Sequence, residues 1–252
     1  MKNIRKFLCL ALALIMVLSL AACGSKSDDA QDNNDDAQQT AGQPIEGGTF
    51  VYAIEEPITS LNWYNNNSTD LGKQVFSNLY DPMWKNNADG SLDYRLAKNV
   101  DINEDGTTYT LTLRDDIYWS DGEKITTDDI VFTLDTLVEP EVAPSTASGY
   151  KVDGEFCSYE KVSDTEIVFT IGRASNLFKK ALGALYVLPA HCFEGVAATE
   201  VLTCEQNDTI ATSGAFVVDS FNVGEKLVCV KNDKYYRTPA HIDGFEVRCV
   251  SD

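Results

Sequence analysis

The stretch from Thr107 to Val138 constrains the fold more than any other part of the sequence. Thr107–Arg114 (TTYTLTLR) alternates, with Tyr109, Leu111 and Leu113 on one side and threonines on the other. A period of two in β-branched and aromatic residues specifies a strand with one buried face. Ser120-Asp121-Gly122-Glu123 is a turn. Thr126-Thr127-Asp128-Asp129 then opens a helix, because a threonine oxygen caps free amides and acids suit the positive end of the helix dipole. Ile130, Leu134, Leu137 and Val138 supply its buried face. A chain committed to strand, turn and helix over so short a distance packs helices on sheet.

The rest of the chain supplies similar pieces. GGTFVYAI (47–54) predicts a strand, and 69–79 predicts a helix with Leu71, Val75, Phe76 and Leu79 on one face. Asp81-Pro82 ends that helix. Glu166–Ile171 is a strand, Asn176–Leu182 a short helix, and Leu185–Leu188 a buried run. Ala215–Asp219, Lys226–Lys231 and Phe245–Val250 are three further strands. Glu139 to Tyr150 reads as a loop. No internal repeat and no steady βαβ rhythm is present, so the class expected is α/β, or α+β, with a mixed sheet.

The N-terminus is an address rather than part of that fold. Lys2, Arg5 and Lys6 precede an apolar run from Phe7 to Ala22 broken only by Ser19. That run is shorter than the roughly 20 residues of a membrane span and fits a secretory signal, residues 1–22. Leu20-Ala21-Ala22-Cys23 looks like a bacterial lipobox, in which the Cys23 sulfur carries the lipid. Residues 23–46 then read as the lipidated Cys and a disordered acidic tether, too poor in apolar side chains to offset ordering entropy. Removing the three signal cations from the 20 Lys and Arg leaves 17 against 39 Asp and Glu. Such an acidic body excludes non-specific nucleic-acid binding and a polybasic membrane anchor.

Motifs for catalysis are absent: no GxSxG, HExxH, Walker or GxGxxG pattern occurs. No enzyme activity and no cofactor is expected. Asp101-x-Asn103-x-Asp105-Gly106 imitates the start of an EF-hand loop, but position twelve is Thr112 instead of a bidentate Glu, so a tight turn is expected. His191 and His241 are the two histidines, and His191-Cys192 reads as a loop pair after Pro189. Five cysteines lie beyond Cys23: Cys157, Cys192, Cys204, Cys229 and Cys249. They leave two readings open: one bridge (Cys192–Cys204 or Cys229–Cys249), or five small buried residues. Asn62-Trp63-Tyr64-Asn65-Asn66-Asn67-Ser68 gathers aromatics and amides. It suits either a ligand cleft or a polar loop with its rings packed beneath, and chemistry alone favours the second.

The order of segments carries more than any one of them. The glycine-led strand is followed by LNWYNNNSTD, LYDPMWKNNADG, TYTLTLRDDIYWSDGEKITTDDIVF, YVLPAH, TSGAFVVDSF and KNDKYYRTPAHIDGFEVR. From about Gly47 to the end, this resembles the N-terminal half of the extracellular solute-binding protein family 5, the oligopeptide, dipeptide and nickel group that serves ABC importers. The resemblance implies a periplasmic-binding-protein-like type II clamshell. Residues 47–60 and 151–252 would form the first lobe and 61–150 an accessory lobe, with the opposing lobe missing from a truncated chain.

By the same resemblance the function would be capture of small peptides for an ABC importer permease. The protein would be a monomer, lipid-anchored to the outer face of the cytoplasmic membrane. Asn67, Ser68 and Thr69 would line the ligand backbone and Tyr150 would approach it. Ser213-Gly214-Ala215-Phe216 would be a structural turn near the hinge. Trp63 departs from the proline of many members. The alternatives are a surface-anchored structural or adhesive lipoprotein, or a binding protein for nickel or another solute.

Overall fold

Thr108–Leu113 forms strand β5, and its burial alternates as its sequence does: Tyr109, Leu111 and Leu113 are buried and the threonines are half-buried. It lies in an antiparallel sheet of order β4-β5-β9-β8, with β4 at Ala97–Ile102, β8 at Ser158–Ser163 and β9 at Glu166–Thr170. Leu111 pairs with Ile167 and Tyr109 with Phe169. Their apolar side chains therefore share one face. Phe178, from the helix at Asn176–Gly183, meets Tyr109 and Phe169 edge-on, with ring centroids 5.1 and 6.2 Å apart. The structure is a computed structural model and describes residues 44–66, 69–142 and 145–250. The signal, Cys23 and the tether as far as residue 43 lie outside the described residues.

The helices are α1 (Trp63–Asn66), α2 (Asp70–Phe76), α3 (Thr127–Val138) and α4 (Asn176–Gly183). α3 starts where its sequence demands. The Thr126 side chain accepts from the Asp128 amide, and the Asp129 carboxylate accepts from the Thr126 amide at 2.9 Å. This reciprocal cap satisfies amides that the first turn leaves free. Ile130, Leu134 and Leu137 are fully buried.

The second sheet has order β1-β12-β11-β10, from Thr49–Ile54, Gly244–Cys249, Lys226–Lys231 and Phe216–Asn222. β1 runs parallel to β12, with Phe50 opposite Phe245, and the other pairs are antiparallel. The sheet is mixed and the class is α/β. Two short hairpins complete the strands: β2 (Trp84–Asn86) with β3 (Leu92–Tyr94), and β6 (Lys151–Val152) with β7 (Glu155–Phe156). The β4-β5-β9-β8 sheet joins residues on both sides of position 150, so the division at 150/151 runs through one hydrogen-bonded sheet. Residues from Pro44 onward form one unit.

β4 and β8 are the strands the sequence conceals. AKNVDI and SYEKVS are edge strands largely open to solvent. Neither carries the alternation that marks β5. The EF-hand look-alike is the β4–β5 hairpin turn: Asn103 Oδ1 accepts from the amides of Thr107 and Thr108 at 2.8 and 3.0 Å, and Gly106 takes φ +68°. All five cysteines are free thiols. Cys229 and Cys249 do sit on neighbouring strands, but Cys229 faces Phe245 in register, which leaves Cys249 four positions away.

An ion network ties β3 to the C-terminal segment. The Arg95 Nη2 and Arg237 Nη1 atoms donate to the two Asp93 oxygens at 2.6 and 3.0 Å. Burial pushes the Asp93 carboxyl up, but the two guanidiniums outweigh it and hold it below its ordinary value. A depressed folded-state value stabilises above the unfolded carboxyl range, near about pH 4, and that stability is lost as pH falls through the folded value. The stability advantage over Asp93→Asn should therefore be present at about pH 7 and shrink at about pH 3 in urea titrations. An advantage of equal size at both pH values contradicts the ion-pair assignment.

Candidate functional site

Ser60–Asn66 is a polar segment whose polar groups are mostly spent on its own backbone. Asn62 is fully buried, its Nδ2 donates to Asn207 Oδ1 at 2.8 Å, and its Oδ1 accepts from the Tyr64 amide at 2.9 Å. Asn66 Nδ2 donates to the carbonyls of Ser60 and Asn62, both at 2.8 Å. Asn65 Nδ2 reaches the Ser60 hydroxyl and the Leu202 carbonyl, each at 2.9 Å. Asn207 in turn donates to the carbonyls of Val201 and Cys204. Buried amides satisfied in this way hold a loop rigid. Trp63 and Tyr64 are 7 and 8% exposed, so the rings pack beneath the loop as its chemistry favours.

Two concavities flank this loop. One, of about 140 Å³, is lined by Glu56, Thr59, Asn65, Asn66, Thr69 and Gly72 among others. The loop closes here on α2: a Cβ added to Gly72 would stand 2.0 Å from the Asn66 carbonyl oxygen, so no larger residue fits. The other, of about 690 Å³, is bounded by Trp63, Lys73, Gln74, Ser77, Lys180 and Tyr186. Trp63 stacks on Tyr186 with centroids 3.5 Å apart. Burial pushes the Tyr186 hydroxyl up to about 12, so it stays a neutral donor at physiological pH. Lys73 pairs at 3.4 Å with Asp70, whereas Lys180 has no ion pair among the described residues. A stacked aromatic pair flanked by two ammonium groups suits an elongated ligand bearing a carboxylate.

Thr69 lines the smaller concavity and caps α2, its Oγ1 accepting from the Gly72 amide at 3.0 Å. Tyr150 is 4% exposed and donates its hydroxyl to the Ala181 carbonyl at 3.2 Å, outside both linings. Asn67 and Ser68 lie outside the described residues. Lys73, Lys180 and Tyr186 escaped sequence reasoning, since nothing in the sequence brings α2, α4 and residue 186 together. The Ser213–Phe216 turn packs on residues 78–80: the Ser213 and Gly214 amides both donate to the Leu79 carbonyl. No helix among the described residues is long and apolar enough to cross a membrane.

The family model described as bacterial extracellular solute-binding proteins, family 5 middle, matches residues 92–252. The oligopeptide-binding protein AppA of Bacillus subtilis is 26% identical over 254 residues, covering 98% of this chain and 45% of that protein. A dipeptide-binding protein of Lactococcus lactis is 26% identical over 190 residues, covering 68% of this chain and 30% of its own length. The chain thus spans about half, or less, of the curated relatives it matches. Among solved structures, the ABC transporter substrate-binding protein CtaP of Listeria monocytogenes superposes with a TM-score of 0.73 at 25% identity. The match covers 82% of this chain and 41% of that one. NikZ of Campylobacter jejuni, solved in complex with Ni(L-His), gives 0.68 at 23%, over 80% and 39% of the two chains. With more than half of its length matched by the family model, the chain belongs to the bacterial extracellular solute-binding proteins, family 5.

Proposed function

We propose that this chain captures peptides outside the cell and presents them to the permease of an ABC importer. The observation that carries the reading is family membership, joined to relatives named for oligopeptide and dipeptide binding. Cys23 carries the lipid that holds the protein on the outer face of the cytoplasmic membrane, and the tether after it gives the binding body its reach. Asn67, Ser68 and Thr69 meet the ligand backbone, and Tyr150 braces α4, which bounds the larger concavity, through the Ala181 carbonyl. The Trp63–Tyr186 stack with Lys73 and Lys180 takes an apolar side chain and a carboxylate.

Calorimetric titration with a mixed peptide library tests the reading. One-site binding with Kd on the order of 1–100 µM is expected, weakened several-fold by Thr69→Ala. Heat from nickel–histidine with none from peptides would replace the peptide by a metal chelate. Heat from neither would remove the ligand-capture reading for this chain.

A further inference from the structure

Away from both concavities, three metal-ligating side chains converge. Asp121 comes from the Ser120–Glu123 turn, and His191 and Cys192 come from the short 3-10 helix Ala190–Phe193. Asp121 Oδ2 lies 2.7 Å from His191 Nε2, Cys192 Sγ lies 3.5 Å from the same nitrogen, and the three ligand atoms fall within 4.8 Å of one another. We propose that this triad binds a borderline divalent cation, Zn²⁺ or its congeners Co²⁺ and Ni²⁺, through one carboxylate oxygen, one imidazole nitrogen and one thiolate. The site rests on this geometry and not on the transport reading.

The distances favour a cation over a catalytic relay. A nucleophile–base–orienter set uses the two nitrogens of the imidazole separately, one for each partner. Here both partners meet Nε2, so the imidazole cannot serve base and orienter through separate nitrogens. Around a tetrahedral zinc, with bonds of ~2.3 Å to sulfur and ~2.0 Å to nitrogen, sulfur and nitrogen stand ~3.5 Å apart. That is the Cys192–His191 separation. The oxygen–nitrogen pair must open from 2.7 Å to ~3.3 Å, a shift of ~0.6 Å for a half-exposed turn aspartate.

The frame is already set. Asp121 Oδ1 accepts from the Glu123 amide at 3.1 Å, which leaves Oδ2 as the free ligand. Ala190, next to His191, donates its amide at 2.9 Å to Asp129, a buried carboxylate fixed by the α3 cap. Trp119 lies beside the imidazole, with centroids 6.4 Å apart. Asp121 also lines a cavity of about 460 Å³ with Ser120, Asp208, Ala211 and Asp219, so a fourth position is open to solvent or a small exogenous ligand. Thiol, imidazole and carboxylate together select zinc-like ions over calcium or magnesium, which take oxygen donors. Binding converts the Cys192 S–H to a sulfur–metal bond and releases that proton to solvent, while the imidazole binds neutral.

The full chain is titrated with Zn²⁺ by calorimetry and with Co²⁺ by absorbance, under reducing conditions free of chelating thiols. The expected result is one ion per chain and a sulfur-to-cobalt charge-transfer band. Cys192→Ser should abolish the band, and His191→Gln and Asp121→Asn should each weaken Zn²⁺ at least tenfold. In the unmutated protein, Zn²⁺ should protect Cys192 from maleimide while the similarly half-exposed Cys204 labels at an unchanged rate. That arm needs no variant to fold. Absence of the band, equal Zn²⁺ affinity in all three variants, or unprotected Cys192 overturns the proposal, and the acidic surface then accounts for any residual binding.

Discussion

Replacing Asp81 with alanine is expected to destabilise the fold by about 2–3 kcal/mol, the cost of leaving partly buried partners unpaired. Asp81 is 3% exposed. Its Oδ2 accepts from the hydroxyls of Tyr235 and Tyr236 at 2.6 and 2.9 Å, and its Oδ1 faces Arg95 Nη1 at 3.9 Å. The carboxylate thus joins the end of the α2 segment to a chain segment more than 150 residues later. Removing it leaves two half-buried hydroxyls and a guanidinium whose Nε already lacks a partner among the described residues. In the intact protein burial, then the nearby Asp81 charge, pushes both tyrosine hydroxyls up, so both donate to Asp81 as neutral groups. Urea unfolding reads the effect as a lower midpoint at unchanged slope. The double variant Tyr235→Phe/Tyr236→Phe in the Asp81→Ala background should recover part of the stability, since fewer polar groups are left stranded. A midpoint shift worth under about 1 kcal/mol for Asp81→Ala would show that water replaces the network, and the buried-network reading would fail.

Gly214→Ala is expected to cost about 3 kcal/mol, the upper end of overpacking. The added Cβ would stand 2.5 Å from the Asn78 carbonyl oxygen, 2.6 Å from the Leu79 carbonyl carbon and 2.8 Å from the Tyr80 nitrogen. All three are backbone atoms, so no rotamer change makes room. The turn cannot back away either. The Gly214 amide donates to the Leu79 carbonyl at 2.8 Å, and its own carbonyl accepts from Asn232 Nδ2 at 2.9 Å. The effect should appear as a lower thermal midpoint together with faster amide exchange at Ser213 and Phe216, both hydrogen-bonded to residues 78–79. Gly90→Ala is the matched control. Gly90 has positive φ but nothing within 4 Å of its added Cβ, so its cost is conformational alone and should be about 1 kcal/mol. Equal costs at the two glycines would remove close packing as the explanation.

Local chemistry made half of this protein legible. The alternation of Thr107–Arg114 gave β5 and the Thr126–Asp129 cap gave α3, because each depends on neighbours in sequence. The edge strands β4 and β8 stayed hidden because each buries only one or two side chains, too few to mark a period of two. The candidate wall was half visible. The amide-rich Ser60–Asn66 segment announces a polar loop, but that its amides are consumed by Asn207, Leu202 and its own carbonyls depends on residues about 140 positions away. The same holds for Lys73 beside Lys180, and for Asp121 beside His191 and Cys192.

The sequence by itself determined strand β5, helix α3 with its cap, the turn at Asn103–Gly106 and the membership that the order of segments implied. Each follows from short-range periodicity and hydrogen bonding, which a linear chain displays directly. Only the tertiary structure decided the parallel pairing of β1 with β12 and the meeting of Asp81 with Tyr235 and Tyr236. It also decided that all five cysteines stay apart. Those outcomes turn on strand register and on which distant surfaces share the core, and no local pattern in the chain encodes either.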